Sequence, residues 1–292
     1  MGVLVEEVLA FRTLVSIAGI VGNAVLILSI FQMPRKRTFD LFLIGLAFAN
    51  LEEIITVDVY DIFVFRASVA LSPMACRTLK FFSASGEFAS ILFTVLISIY
   101  RYQKLRDAQT RVNLPVLMDK RRPALLLSGG SVVLAAILSA PCYIMNLDGH
   151  VRNFTSQTNC PPDFFQCAKN NCPFRNKLYK YVFMCTCILA PLLCVTGTSC
   201  LILRILLIRQ CTVAAQQRAQ SSQGGQHQAK SSGLNRSTIA VLAAMWIFQI
   251  DWMMYLVLQF ALSPYDFPAW TEMEFFITTS YSSLSPYVDS TG

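Results

Sequence analysis

The stretch from Cys76 to Tyr102 constrains this chain more than any other. Phe81, Leu92, Phe93, Val95, Leu96 and Ile99 make it apolar enough for hydrocarbon, yet Ser83, Glu87, Ser90, Thr94, Ser98 and Arg101 recur every three or four residues along it. That spacing puts the polar groups on one face of a helix. An acid turned toward lipid is expensive, so the face must look onto other helices or a water-filled cavity. At a rise of about 1.5 Å per residue, Glu87 and Arg101 stand about 21 Å apart along the axis. One helix therefore joins an acidic group near one membrane face to a cation near the other.

The remainder of the chain is built to enclose such a helix. Hydrophobic residues make up 54% of the 292 and charged residues 14%, against about 25% charged in a soluble domain. Apolar stretches at 9–31, 39–63, 76–102, 124–145, 181–208, 239–262 and 270–288 are each long enough to cross about 30 Å of hydrocarbon. The net charge of +7 comes from short basic clusters between these stretches: Arg35, Lys36 and Arg37; Arg101 to Arg122; and Arg204 to Arg236. Basic residues collect on the cytoplasmic side, which orients the chain with an extracellular N-terminus and argues against nucleic acid as a partner. The expected fold is an all-α membrane protein, a seven-transmembrane helix bundle forming one domain over 1–292. Residues 146–179 form its cysteine-bearing outer loop and 210–233, rich in Gln, Ser and Gly, a flexible inner linker. Gly129-Gly130 in the fourth span is expected to mark a close helix contact.

Intramembrane acids are the chemically informative residues. Glu52, Glu53, Asp58 and Asp61 crowd the second span, with Glu53 three residues beyond Asn50 and turned inward with it. Asp58 and Asp61 are read either as inward-facing or as lining an aqueous vestibule. Asp251 is the acid of the sixth span, and Thr278, Ser282, Ser285 and Asp289 share one side of the seventh. These acids fit a ligand site made of Glu87, Ser83, Glu53 and Asp251, and equally a proton or ion path in a polytopic transporter. The transporter reading is weakened by the lack of two comparable inverted halves. An enzyme is not expected, since His150 and His227 lie in loops and no nucleophile motif occurs. No cofactor or metal is implied either. Cys76, Cys160, Cys167 and Cys172 fall on the outer face, an even number that favours disulfides in any of three pairings. Asn153-Phe154-Thr155 is an acceptor pattern for N-glycosylation.

A cysteine opening the third span, followed at this distance by Arg101 between Tyr100 and Tyr102, resembles the third helix of rhodopsin-like G-protein-coupled receptors. Ser98 to Arg106 is more narrowly similar to the vomeronasal type-1 and fish olfactory class A-related receptors. Gly22-Asn23, Leu46 to Asn50, Pro191 and Ser285-Pro286-Tyr287 resemble the family's motifs in order along nearly the whole chain. Departures are Tyr100 where an acid usually precedes the arginine, and Asn50 where an acid usually binds sodium. The chain also ends five residues after Tyr287, so no eighth helix is expected.

The resemblance implies a chemosensory receptor in the plasma membrane of sensory neurons, taking a small odorant or pheromone and coupling to an inhibitory-type heterotrimeric G protein. It implies coupling and activation roles for Arg101, Tyr100, Tyr102, Asn50, Pro286 and Tyr287. It also implies a disulfide from Cys76 to Cys172 or Cys167, the other pairing with Cys160, and a glycan on Asn153.

Overall fold

Shielding a polar stripe takes a ring of neighbours, and a computed structural model shows the ring. It describes residues 2–33, 37–62, 72–110, 118, 120–144, 165, 172–220, 231–261 and 270–289. The helices are α1 (Gly2–Gln32), α2 (Thr38–Asp61), α3 (Pro73–Thr110), α4 (Arg121–Ser139), α5 (Phe174–Phe183), α6 (Ala190–Gln220), α7 (Ser231–Ala261) and α8 (Trp270–Asp289). A 3-10 turn, Ala140–Tyr143, follows α4, and a π-helical stretch, Met184–Leu189, joins α5 to α6. The π stretch has a local cause. Pro191 has no N–H to give back along the helix, and the wider register, with the Ala190 N–H on the Cys185 carbonyl, absorbs the defect. Counting α5 and α6 as one rod, the described residues form seven.

α3 is the central rod, packing against α2, α4, α6 and α7, while α1 lies against α2 and α8, and α7 against α8. Among the described residues, five stretches qualify as membrane spans by length and apolarity alone: Ala10–Gln32, Pro73–Ala108, Arg121–Tyr143, Phe174–Ile208 and Leu242–Phe260. α2 and α8 are too polar to qualify, and the fold explains why that is tolerated. Asp40, Asn50, Glu53 and Asp61 of α2 are buried, as are Thr278, Thr279, Ser280, Ser282, Ser283 and Ser285 of α8. α4 does the opposite, turning Leu125, Leu126, Val132, Val133 and Ile137 outward.

Three expectations need correction. The linker expected at 210–233 is helical at both ends, since α6 continues to Gln220 and α7 begins at Ser231. Ala, Gln and Arg are good helix formers that carry a rod beyond the bilayer, so the loss of apolar period marks the end of lipid contact and not of the helix. The same holds for α3, which runs on to Thr110. Gly129-Gly130 does not sit at a close contact: a Cβ at either position would meet nothing within 4 Å.

Candidate functional site

The face of α3 that carries the polar stripe can be followed from its Cys76 end to its Arg101 end through three environments. The first is anchored by Cys76, which is fully buried. Cys76 and Cys172 are both disulfide-bonded, whereas Cys142, Cys185, Cys187, Cys194 and Cys200 are free. Tyr143 after α4 reaches Thr78 of α3 at 3.4 Å. Cys160, Cys167 and Asn153 lie outside the described residues.

Just below this anchor is a cavity of about 60 Å³. Lys80, Ser83 and Glu87 line it from α3, Val57 and Tyr60 from α2, and Phe183 from α5. Tyr255 of α7 and Glu274, Phe275 and Thr278 of α8 close the other side. Its wall is propped from outside. The Tyr60 and Phe275 rings meet edge to face at 5.9 Å, and the buried Arg12 of α1 lies 4.8 Å from the centre of the Phe275 ring. Arg12 is in turn 3.3 Å from Asp61 and 3.8 Å from Asp58, and Ser16 donates to Asp58 at 3.0 Å. Asp58 and Asp61 are thus tied into an ion cluster between α1 and α2 and are not loose acids of a vestibule. A buried guanidinium shared by two carboxylates answers the desolvation cost that either charge alone would impose.

Glu87 is 9% exposed, and its Oε1 has no hydrogen-bond partner among the described residues. Glu274 differs, accepting from the amide of Gln259 at 2.7 Å. Two of the four acids and hydroxyls expected in one site, Glu87 and Ser83, line the cavity. Glu53 and Asp251 do not. Glu53 sits one level deeper, accepting from Ser282 at 2.6 Å, and Asp251 accepts from Ser280 at 3.0 Å on the seam of α7 and α8. Glu53 nevertheless lies close to α3. A Cβ on Gly86 would come within 2.7 Å of the Glu53 backbone nitrogen, so only glycine there lets α2 and α3 approach this closely.

Sequence reasoning missed Lys80, Glu274, Tyr60, Tyr255 and Phe275. The signal for two of them was present: Lys80 precedes Ser83 by three residues on the same face, and Glu274 extends the Thr278, Ser282, Ser285 series by one turn.

The second environment is a buried hydrogen-bond network. Ser90 donates to Asn50 Oδ1 at 2.7 Å, and Asn50 Nδ2 donates to Asn23 at 3.1 Å and to Ser285 at 3.0 Å. Asn23 donates to the carbonyls of Gly19 and Ser282. Asn50 therefore ties α1, α2, α3 and α8 together by accepting and donating at once. An ionised acid in its place could only accept. One turn on, the hydroxyls of Thr94 and Tyr281 are 2.6 Å apart, and Tyr281 meets Phe248 of α7 edge on at 5.3 Å.

The third environment is aromatic. Phe39, in the first turn of α2, has the Arg101 guanidinium 3.9 Å from its centre and the Tyr100 ring stacked at 5.7 Å. Tyr100 also meets Phe42 edge on at 6.0 Å. The turn is fixed by Asp40, whose carboxylate accepts from the Arg37 backbone N–H at 2.6 Å. Tyr102 is half-buried, with Arg106 over its ring at 5.9 Å. Pro286 lies inside α8, and Tyr287 donates to the Ala18 carbonyl of α1 at 2.7 Å, packing where Gly22 leaves room.

A cavity at one end of a central helix, a buried polar network at mid-height and a cation at the far end, all within seven rods, agree with one family. None of the curated proteins compared with the chain matches it. The family model described as "7 transmembrane receptor (rhodopsin family)" matches residues 22–289. The chain belongs to the rhodopsin family of seven-transmembrane receptors.

Proposed function

We propose that this multi-pass plasma-membrane receptor is chemosensory. It takes a small odorant or pheromone-like molecule into the cavity at the Cys76 end, and passes occupancy to an inhibitory-type heterotrimeric G protein at the Arg101 end. The observation that carries this reading is that the cavity and Arg101 share one helix: Glu87, with one carboxyl oxygen unpartnered among the described residues, lines a small cavity, and the same face continues to Arg101. The resemblance of Ser98 to Arg106 and of Ser285 to Tyr287 supports the vomeronasal type-1 refinement and a location in sensory neurons. We assign the outer disulfide to Cys76 with Cys172, which leaves Cys160 and Cys167 to each other, and a glycan to Asn153.

Mechanistically, an agonist shifts the resting and active states only by its differential affinity for them. The cavity is lined by α2, α3, α5, α7 and α8, so a ligand touching all five is sensitive to how they are arranged. Ser90 and Asn50 link the cavity floor to α1 and α8, and Tyr281 links α3 to α7. Re-packing of α3, α7 and α8 frees Arg101 for the G protein. No Asp or Glu occurs between Arg209 and Ile239, so the start of α7 offers Arg101 no carboxylate, and agonist-free signalling is raised.

The test is agonist-driven nucleotide exchange on purified G protein. Glu87→Gln, with surface expression retained, should shift agonist potency by about tenfold or more, the scale of one charge-assisted hydrogen bond. Unchanged potency for every active ligand would remove Glu87 from the site.

A further inference from the structure

We propose that Arg12 of α1, which does not itself line the cavity, is the positioning residue that sets how large a molecule the cavity admits, by fixing the Phe275 ring of its wall. This deepens the receptor reading above and rests on it only in treating the cavity as the ligand site. Phe275 and Tyr60 both line the cavity and meet edge to face at 5.9 Å, so the α2–α8 side of the wall is an aromatic pair. Behind that pair the Arg12 guanidinium lies 4.8 Å from the Phe275 centre, within the reach at which a cation is drawn to a ring face. Arg12 does not take its place from the ring. Asp61 at 3.3 Å and Asp58 at 3.8 Å hold it from α2, and Ser16 in turn donates to Asp58 at 3.0 Å. The cation is therefore set by α1 and α2, and the ring of α8 is set by the cation.

α1 is itself held in register against α8. Phe11, the residue before Arg12, meets Phe276, the residue after Phe275, at 5.9 Å, and a Cβ on Gly19 would collide with the Ser283 hydroxyl. On the other side Glu274 is fixed from α7 by Gln259 at 2.7 Å, so the α8 segment facing the cavity is gripped from both flanks. Stability alone is a poor reason for such a cluster. Arg12 is buried, and a buried ion triad gives little or no more stability than apolar side chains of the same volume, whereas its directed contacts fix one geometry. The cavity is small enough for that geometry to matter. About 60 Å³ is room for only a few molecules the size of water, at about 10–15 Å³ each, so a ring that turns or withdraws changes the capacity by a large fraction.

The experiment uses the full-length receptor in lipid nanodiscs and 1-alkanols from ethanol to hexanol, with binding read by saturation-transfer NMR. Signal that survives Ser83→Trp, which fills the cavity, is lipid partition and is subtracted. In the parent, affinity is expected to rise about fourfold per added methylene, up to a chain length at which the wall stops it. A triple variant combining Arg12→Met, Asp58→Asn and Asp61→Asn removes the guanidinium without leaving either acid charged and unpaired. It should move that limit up by at least one carbon, with a gain of about fourfold or more for the first alkanol beyond the parent's limit. Phe275→Leu should move the limit by itself, and the triple change on top of it should add nothing, as for groups that act through one contact. Should the triple variant fail to fold, Arg12→Lys decides by the same limit, since it keeps a cation for both acids and gives up the flat guanidinium over the ring. The inference is overturned if the limit does not move, if the triple change still extends it in the Phe275→Leu background, or if the parent shows no saturable binding or no limit. Agonist-driven nucleotide exchange with an unmoved limit would overturn this inference and leave the receptor reading standing. A moved limit in a receptor that drives exchange on no G protein would do the reverse.

Discussion

The two ends of α3 each present a charged side chain to the interior, and the protein treats them differently. At the Cys76 end Glu87 faces a cavity with one carboxyl oxygen unpartnered among the described residues. At the other end the Arg101 guanidinium is seated on a phenyl ring at 3.9 Å. A buried carboxyl group left without a partner carries a desolvation cost that a hydrogen-bonded one does not. A cation over a ring gains about 0.5–2 kcal/mol, and Phe39 contributes on that scale to holding Arg101. The difference teaches that one helix can leave an acid open to a cavity and pack a cation on a ring, with the Asn50 network between them.

The comparison can be broken most severely from the cavity side. Arg12→Ala leaves Asp58 and Asp61 without the guanidinium between them and is expected to cost about 3–5 kcal/mol, as loss of one partner from a buried ion pair does. Thermal unfolding of the purified receptor would register it, and a melting temperature equal to the parent's would show that the wall does not depend on that cluster. Next comes the connection: Asn50→Leu removes both a donor and an acceptor, stranding Ser90 and Asn23, with an expected loss of about 1–3 kcal/mol. Agonist binding should survive while coupling to nucleotide exchange weakens, and full coupling in this variant would show that the network is not the link.

At the Arg101 end, Phe39→Ala is expected to raise ligand-free nucleotide exchange about 2- to 30-fold, the equivalent of about 0.5–2 kcal/mol of lost restraint. Basal activity that stays flat or falls would show that the ring does not hold the resting state. The smallest effect is expected on the lipid side, where Gly129→Ala meets open space and should change stability by less than about 0.5 kcal/mol. A larger loss would place α4 against an unseen partner.

The legibility of the site followed the same divide. Glu87 and Ser83 were found because α3 carries its whole polar stripe in one unbroken helix, and period alone assigns a face. Lys80 and Glu274 obey the same period and were passed over because each lies near the end of its polar series. The rule that an acid in a span points inward groups Glu53 and Asp251 with Glu87, and it is correct for Glu53, 2% exposed. Inward is a direction shared by several environments: Glu53 turns to Ser282 and Asp251 to Ser280. Arg12 gave no sign in advance, since its two carboxylates lie more than forty residues further along the chain. Phe39 likewise looks like one more apolar residue until Arg101 is placed above it.

What the chain's residues determine unaided is the number of rods, the polar face of each, and the two charged ends of α3, because hydrophobic period and the cost of charge in lipid act within a single helix. Which acids share a cavity, which one has a hydrogen-bond partner and what lies over Arg101 are decided only when the rods pack. Those outcomes depend on how far each helix turns and slides against its neighbours, and close approaches such as Gly86 on Glu53 set that rotation jointly for several helices.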